Sequence, residues 1–186
     1  IGVLLQQDFP LQSLLKAIQH FEGVPGRMER INVLEVDSTN APTVLVDYAH
    51  TPDALANTLF ASRDFTSGKL ICVFGCGGDR DRGKRSQMGG VASKLADYLI
   101  VTSDNPRTED PQKIIDDIAK GIPLGTRVRI EPDRALAIEI ALSEAVPGDV
   151  ILLAGKGHEN YQIIGKEKIN FDDREVAKIC LRKRFT

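Results

Sequence analysis

The sequence predicts an α/β fold with a mostly parallel sheet between two layers of helices. Along most of the 186 residues, apolar runs typical of strands alternate with segments in which apolar residues recur at helical spacing. Two of these runs, LICVFG (70–75) and VILLAG (150–155), are apolar throughout. Such runs are expected for parallel strands, because helices cover both faces of a parallel sheet.

The first 23 residues are predicted to form an amphipathic helix outside this sheet. Apolar residues recur there at helical spacing, and Gly and Pro residues within 22–28 then break the pattern. The apolar residues are Leu11, Leu14, Leu15, Ile18 and Phe21. We therefore expect residues 1–23, with a linker at about 22–28, to be separate from a domain over 24–186.

Within that domain, strands and helices are predicted in alternation. A strand is predicted where aliphatic and β-branched residues cluster, and a helix where Pro or Asp precedes an amphipathic stretch. The predicted strands are INVLEVD (31–37), TVLVDYA (43–49), KLICVFG (69–75), DYLIVTS (97–103), RVRI (127–130) and DVILLAG (149–155). The predicted helices start at Pro52 and Pro111, span about 86–97 and 133–145, and start again near Asp173, after a hairpin over 161–171.

Composition and charge exclude several classes of partner. The net charge of -2 and the pI near 6.0 give no basic footprint, so we expect no nucleic acid and no anionic membrane as a partner. No apolar run approaches the roughly 20 residues that span a bilayer. Cys72, Cys76 and Cys180 have no second Cys pair or His cluster at metal-ligand spacing. We therefore expect reduced thiols, no metal site and a cytoplasmic monomer.

Four polar segments follow predicted strands and are the candidates for a binding site. In parallel α/β sheets, ligands bind in the crevice beyond the carboxyl ends of the strands. These segments contain most of the unusual polar residues of the chain. They are DYAHTPD (47–53), GCGGDRDRGKR (75–85), SDNPRTEDP (103–111) and GKGHENYQ (155–162).

The glycine-rich segment comes close to a nucleotide phosphate loop but departs from the pattern. Gly78 to Lys84 fits G-x-x-x-x-G-K, yet Arg85 stands where a Ser or Thr hydroxyl would bind magnesium. The dinucleotide fingerprint also fails, because Arg80 occupies its third glycine position. Two interpretations remain: a turn that lets the backbone leave the strand, or a loop in which Arg80, Arg82 and Arg85 face an anionic group.

The DNPR sequence combines turn-forming residues with an acid and a base. Asn105 and Pro106 are explained by a turn, whereas Asp104 and Arg107 are not required by one. Arginine binds a carboxylate through paired hydrogen bonds, and aspartate binds an ammonium. The acid and the base of this segment therefore suit a zwitterionic ligand.

Two further segments contribute candidates. The start of a helix accounts for residues 51–53, but it leaves Asp47 and His50 unexplained. Gly155 lets the backbone approach a ligand closely, and Glu159 adds a carboxylate at the same sheet edge. The alternative for Glu159 is a surface residue in a flexible turn.

Five segments in this order resemble the carboxy-terminal domain of the Mur ligases, which build the peptidoglycan stem peptide. The resemblance covers about residues 24–180 and implies a Rossmann-like three-layer sandwich that closes over the active site and binds the incoming amino acid. It also implies two preceding domains, one for the UDP-sugar substrate and one for ATP and Mg²⁺. The segments are PGRME (25–29), VDYAHTPDAL (46–55), VFGCGGDRDRGKR (73–85), DNPRTEDP (104–111) and GKGHENYQ (155–162).

The resemblance implies a role for each candidate. Arg27 is implied to approach the ATP phosphates, and Asp47 and His50 to face the nucleotide, while no residue of this chain is implied to be catalytic. The residues implied to surround the amino acid are Arg80, Asp104, Asn105, Pro106, Arg107, Gly155 and Glu159. Residues 1–23 resemble the closing helix of the central, ATP-binding domain. We therefore expect an isolated terminal domain, which hydrolyses no ATP by itself.

Within the family, the arginine of DNPR accompanies members that add meso-diaminopimelate to UDP-N-acetylmuramoyl-L-alanyl-D-glutamate through an acyl phosphate. Arg107 would pair with the distal carboxylate, which lysine lacks, and Glu159 with the Gly155 carbonyl would bind the distal ammonium. Two alternatives stay open: a related ligase of the lysine-adding, folylpolyglutamate or cyanophycin type, and a non-catalytic amino-acid-binding domain.

Overall fold

A six-stranded sheet lies at the centre of the chain in a computed structural model that describes residues 2–19 and 23–186. The sheet strands are β1 (Glu29–Arg30), β2 (Thr43–Asp47), β3 (Leu70–Phe74), β4 (Tyr98–Val101), β5 (Val128–Ile130) and β6 (Val150–Ala154). A separate hairpin consists of β7 (Tyr161–Ile164) and β8 (Glu167–Asn170). The helices are α1 (Gly2–Gln6), α2 (Leu11–Gln19), α3 (Pro52–Arg63), α4 (Gly83–Leu95), α5 (Pro111–Ala119), α6 (Arg134–Glu144) and α7 (Asp173–Phe185).

The strand order β1-β2-β6-β3-β4-β5 places the last sheet strand in the middle of the sheet. β6 pairs in parallel with β2 on one side and with β3 on the other, while only β1 runs antiparallel to its neighbour. The loops that follow β2, β6, β3 and β4 therefore leave the same edge side by side. This arrangement creates the crevice in which ligands of such sheets bind.

Two hydrophobic clusters, one on each face, make the domain a three-layer sandwich. Alternate residues of a strand point to opposite faces, so Ile71 and Val73 join one cluster and Cys72 joins the other. α6 and α7 cover the first cluster, and α3, α4 and α5 cover the second. The predicted α/β class with helices on both faces is thus confirmed.

The helix starts that the sequence predicts have the expected caps. The Thr51 side chain accepts a hydrogen bond from the Ala54 N–H at 3.3 Å, and Pro52 occupies the first turn. The Asp110 side chain accepts one from the Gln112 N–H at 2.9 Å. These short polar side chains satisfy N–H groups that have no partner within the helix.

Two predicted elements of the domain over 24–186 differ from the structure. The strand expected over 31–37 is wrong, because β1 ends at Arg30 and the chain turns at Val33, whose carbonyl accepts from the Val36 N–H at 3.1 Å. Leu34 is fully exposed as a result, although Ile31 and Val33 stay buried in the core. The helix expected over about 86–97 is displaced, since α4 begins at Gly83 and ends at Leu95.

The amino-terminal segment contains two helices instead of the single predicted one. A left-handed residue, Asp8 with φ of 60°, and Pro10 separate α1 from α2. Leu14 is buried, whereas Leu11 is 52% exposed and Ile18 is 45% exposed. Phe21, the last apolar residue of the predicted helix, lies outside the described residues. No described helix is both long and apolar enough to cross a membrane.

Candidate functional site

A cleft of about 430 Å³ lies at the carboxyl ends of β2, β3, β4 and β6. Seven of the ten residues predicted from the sequence line it, and Tyr48, Asp81, Lys84 and Tyr161 line it in addition. The seven are His50, Arg80, Asp104, Asn105, Arg107, Gly155 and Glu159. The other three, Arg27, Asp47 and Pro106, are not part of the lining.

Asp104 presents an unused carboxylate to the cleft. The residue is 7% exposed, and no described group donates a hydrogen bond to either of its carboxylate oxygens. Gly155 stands directly opposite with φ of +112°, and a Cβ there would lie 2.8 Å from Asp104 Oδ2. Only glycine therefore fits at this position, which supports the backbone role that the sequence predicts for Gly155.

Asn105, Lys156 and Glu159 form a connected polar group. The Asn105 side chain donates to Glu159 Oε2 at 2.9 Å, and its Oδ1 accepts from the Ile163 N–H at 3.0 Å. Lys156 Nζ donates to Asn105 Oδ1 at 3.2 Å and to Glu159 Oε2 at 3.3 Å. The sequence gives Lys156 no role. The sequence signal that could have suggested a role for Lys156 is its position between two glycines directly after a buried strand.

Arg107 is held in an unusual backbone conformation by the β7–β8 hairpin. Its φ is +52°, in the left-handed region that non-glycine residues rarely adopt. Its N–H donates to the Ile163 carbonyl at 3.0 Å, and its carbonyl accepts from the Gly165 N–H at 2.7 Å. The half-buried guanidinium donates to the Gly78 carbonyl at 2.9 Å. Strain of this kind at a cleft is typical of a functional position.

The glycine-rich loop after β3 is bonded to the DNPR loop. The Gly78 N–H donates to the Asn105 carbonyl at 2.9 Å. Thr108 Oγ1 donates to the Asp79 carboxylate at 2.8 Å, and the Asp79 N–H donates to Glu109 Oε1 at 2.6 Å. The two loops therefore form one wall of the cleft.

The hypothesis that Arg80, Arg82 and Arg85 together face an anion is wrong for Arg85. That side chain is fully buried and donates to Glu109 at 2.8 Å and to Asp117 at 3.1 Å. Arg82 also pairs with Glu109, at 3.1 Å, and only Arg80 lines the cleft. Hydrogen bonds from Arg85 lower the pKa of Glu109 to about 2.

Asp47 is buried and is not part of the cleft lining, and its predicted place facing the nucleotide stays a prediction. The buried carboxylate accepts from the Met28 N–H at 2.8 Å, the Ala49 N–H at 2.8 Å and Thr58 Oγ1 at 3.2 Å. Met28 has φ of 46°, and its N–H donates to the Asp47 carboxylate in this conformation. The bond to Met28, the residue after Arg27, connects this segment to the end of β2.

The aromatic residues near β2 form an open group beside the cleft. The Arg27 guanidinium lies 5.0 Å from the centre of the Tyr48 ring, and the Tyr48 and His50 rings are 4.7 Å apart. Lys84 Nζ donates to the His50 carbonyl at 2.7 Å. We call Arg27, Tyr48 and His50 the β2 side of the cleft. The β4–β6 side consists of Asp104, Asn105, Arg107 and Glu159.

A buried ion pair supports the β4–β6 side from beneath. Arg134 donates to both oxygens of Asp173 at 2.7 Å, and both side chains are 0% exposed. The same guanidinium donates to the Ser103 carbonyl at 3.3 Å and to the Ala154 carbonyl at 3.0 Å. It therefore fixes the two strand ends that immediately precede Asp104 and Gly155.

Two cysteines near the cleft, Cys72 and Cys76, are buried. Burial raises the pKa of Cys72 and of Cys76 to about 12. Cys76 lines the cleft and donates to the Met88 sulfur at 3.6 Å. Within residues 2–19 and 23–186, no three His, Cys, Asp or Glu side chains are grouped to hold a metal ion.

Comparisons with known proteins extend these observations. Residues 26–157 match the family described as Mur ligase, glutamate ligase domain. A UDP-N-acetylmuramoyl-L-alanyl-D-glutamate–2,6-diaminopimelate ligase from Prochlorococcus marinus is 65% identical over the whole chain. One from Thermosynechococcus vestitus is 58% identical over 95% of it. The chain covers 36% and 35% of their respective lengths, or about a third of each relative.

Solved structures agree with the family match. A structure of a UDP-N-acetylmuramoyl-L-alanyl-D-glutamate–2,6-diaminopimelate ligase superposes with a TM-score of 0.81 at 43% identity, over 97% of this chain and 36% of that one. A UDP-N-acetylmuramate-alanine ligase from Thermotoga maritima, 20% identical, shares the fold with a TM-score of 0.63, over 98% of this chain and 35% of that one. With its parallel sheet and its cleft between the strand ends, this chain belongs to the Mur ligase family.

Proposed function

We propose that this chain is the amino-acid-binding domain of a ligase that adds meso-diaminopimelate to UDP-N-acetylmuramoyl-L-alanyl-D-glutamate. One observation carries the proposal: Asp104, Arg107 and Glu159, two acids and one base, face a single cleft. The names of the similar enzymes state this acceptor and this substrate. Because the chain covers 36% of the first relative's length, the activity is proposed for a longer protein.

The charges of the cleft complement those of meso-diaminopimelate, which has an ammonium and a carboxylate at each end. Arg107 is suited to the distal carboxylate, because its guanidinium lies at the lining with one N–H bonded to Gly78. Glu159 and the Gly155 carbonyl are suited to the distal ammonium. Asn105 and Arg80 are the other proposed neighbours of the amino acid in the cleft. Pro106, which is buried, shapes the turn between Asn105 and Arg107.

The proposed reaction proceeds through an acyl phosphate of the UDP-linked dipeptide. The amine of the new amino acid attacks its acyl carbon to give a tetrahedral intermediate, the C–N bond replaces the C–O bond to phosphate, and inorganic phosphate and a proton leave. ATP supplies the phosphoryl group, and Mg²⁺ neutralises its phosphates when bound. The residues of this chain hold and orient the amino acid, so that its amine meets the acyl carbon. Arg27 and His50 are exposed bases beside the cleft, which fits a phosphate anion. The magnesium ligands belong mostly to the central domain.

Residues 1–23 are proposed to be the end of that central domain, joined by the linker at about 22–28 to the domain over 24–186. α2 exposes Leu11, Leu15 and Ile18 by 45 to 52%, which is consistent with packing against a part of the protein that precedes it. A cytoplasmic location and a monomeric state remain predictions, as does the absence of nucleic-acid and membrane partners.

The test uses the full-length protein with UDP-N-acetylmuramoyl-L-alanyl-D-glutamate, ATP and one of four acceptors. We expect meso-diaminopimelate to be added, and lysine to be hundreds-fold worse in kcat/KM or more. That ratio corresponds to the roughly 3–5 kcal/mol that an unpaired buried charge costs. Lysine, glutamate or arginine as the best acceptor would instead identify the lysine-adding, folylpolyglutamate or cyanophycin type.

A companion experiment uses the isolated chain and addresses the non-catalytic alternative. We expect no ATP hydrolysis, because the sequence contains no G-x-x-x-x-G-K-[ST]. Calorimetry then measures whether the isolated chain binds meso-diaminopimelate without ATP. Measurable binding, together with a full-length protein that lacks ligase activity, would favour the stand-alone binding domain. ATP turnover by the isolated chain would contradict the proposed division of the protein.

A further inference from the structure

Lys156 is a fully buried ammonium next to the cleft. Lysine is almost never completely buried unless it is paired, so its contacts explain its position. Nζ lies 3.2 Å from Asn105 Oδ1 and 3.3 Å from Glu159 Oε2, and 5.6 Å from the centre of the Tyr161 ring. Lys156 is 0% exposed and does not line the cleft, whereas Glu159 is 16% exposed and does.

These contacts select one orientation of the Asn105 amide. Oδ1 accepts from Lys156 Nζ and from the Ile163 N–H, both of which are donors only. The amide nitrogen is thereby directed at Glu159 Oε2, which accepts from it at 2.9 Å. The reversed amide would place its NH₂ against an ammonium and would place its oxygen against a carboxylate.

The same ammonium fixes Glu159. Oε2 accepts from both Lys156 and Asn105, so two donors from different loops hold one carboxylate oxygen. Lys156 follows β6 and Asn105 follows β4, and the group therefore ties the two loops together beneath the cleft. A carboxylate held by charged and amide donors keeps its position before a ligand arrives.

We propose that Lys156 is a positioning residue for recognition of the distal ammonium of a diamino acid. Lys156 acts through Glu159 and Asn105 and does not touch the amino acid. This inference rests on the proposed function. It predicts that loss of Lys156 weakens amino-acid binding selectively, because the other substrates bind elsewhere.

The test measures steady-state kinetics of the full-length enzyme with Lys156→Met and with Lys168→Met as the matched control. Lys168 Nζ lies 3.7 Å from the centre of the same Tyr161 ring, but it bonds to neither Asn105 nor Glu159. We expect Lys156→Met to raise the KM for meso-diaminopimelate about tenfold or more, with the KM values for ATP and the UDP-dipeptide changed less than about twofold. Lys168→Met should change none of them. A lower kcat with an unchanged amino-acid KM would overturn the proposal, since that result indicates a purely structural role.

Glu159→Gln and the double variant Lys156→Met/Glu159→Gln test whether Lys156 acts through Glu159. We expect the double variant to raise the amino-acid KM by much less than tenfold beyond Glu159→Gln, because only the effect that Lys156 exerts through Asn105 remains. A further tenfold rise in the double variant would contradict the inference, and this comparison remains available if Lys156→Met alone fails to fold. A wild-type enzyme that does not add meso-diaminopimelate refutes the proposed function instead, so the two failures are distinguishable.

Discussion

The two sides of the cleft differ in how firmly their side chains are held. On the β4–β6 side, Asn105 and Glu159 share hydrogen bonds with a buried lysine, and hairpin bonds fix the backbone of Arg107. On the β2 side, Arg27 and His50 are exposed; Arg27 lies over the Tyr48 ring, and His50 contacts that ring and bonds to the Tyr48 carbonyl at 2.9 Å. The difference supports the proposal that this domain forms the amino-acid pocket by itself. The proposed nucleotide contacts are expected to need the proposed central domain as well.

The most severe test of this comparison is Arg107→Ala in the full-length enzyme. We expect kcat/KM for meso-diaminopimelate to fall hundreds-fold or more, because the distal carboxylate loses its partner at a cost of roughly 3–5 kcal/mol. The KM for ATP should stay unchanged. Steady-state kinetics and nucleotide titration measure the two effects, and Arg129→Ala, at a half-exposed arginine on β5, is the control. An equal loss of kcat/KM for meso-diaminopimelate and of ATP affinity would contradict the distinction between the two sides of the cleft.

Arg134→Met should weaken the support beneath the β4–β6 side. It leaves Asp173 buried without its partner, which costs roughly 3–5 kcal/mol in the free energy of unfolding. Urea denaturation of the isolated chain measures this cost. Lys183→Met breaks an exposed pair with Glu139 on the same helices and should cost only about 0–1 kcal/mol. Similar losses in both variants would show that Arg134 contributes no more than a surface pair.

Most of the fold could be predicted from the sequence, because the spacing of apolar residues and the residues that cap helices are local signals. Buried parallel strands such as β3 and β6 are continuous apolar runs, and Thr51 and Asp110 mark helix starts. The predicted strand over 31–37 failed because burial of alternate residues, here Ile31 and Val33, also occurs in a segment without strand pairing. Its turn at Val33–Val36 has no glycine or proline to signal it.

The partners of the charged residues could not be predicted, because they come from distant parts of the chain. Arg85 belongs to an arginine-rich stretch of sequence that suggests an anion site, but it lies in the first turn of α4 and its partner Glu109 is 24 residues away. Asp47 reaches Met28 across 19 residues, and Lys156 reaches Asn105 across 51. Motifs identified the residues near the cleft, while the sheet order decided which of them face it.

Asp47→Asn tests the β2 side. One amide N–H of the new side chain must face the Met28 or the Ala49 N–H, which we expect to cost about 1–3 kcal/mol in the free energy of unfolding. In the full-length enzyme the KM for ATP should rise while that for meso-diaminopimelate stays within about twofold. Asp53→Asn, at an exposed position in the first turn of α3, is the control. A change confined to the amino-acid KM would contradict the expectation that Asp47 supports the β2 side through the segment that contains Arg27.

The smallest expected effect depends on pH and concerns the loop that carries Arg107. Hydrogen bonds from Arg85 lower the pKa of Glu109 from 4.5 to about 2, so the folded state favours the charged form. The stabilisation is therefore complete above pH 4.5 and is lost as the pH falls toward 2. Urea denaturation of the wild type and Glu109→Gln at several pH values should give a stability difference that is constant near neutrality and shrinks below pH 4.5. A stability difference that does not vary with pH would mean that Glu109 stabilises the protein by packing. The ion pair between Glu109 and Arg85 would then not be what holds the loop that carries Arg107.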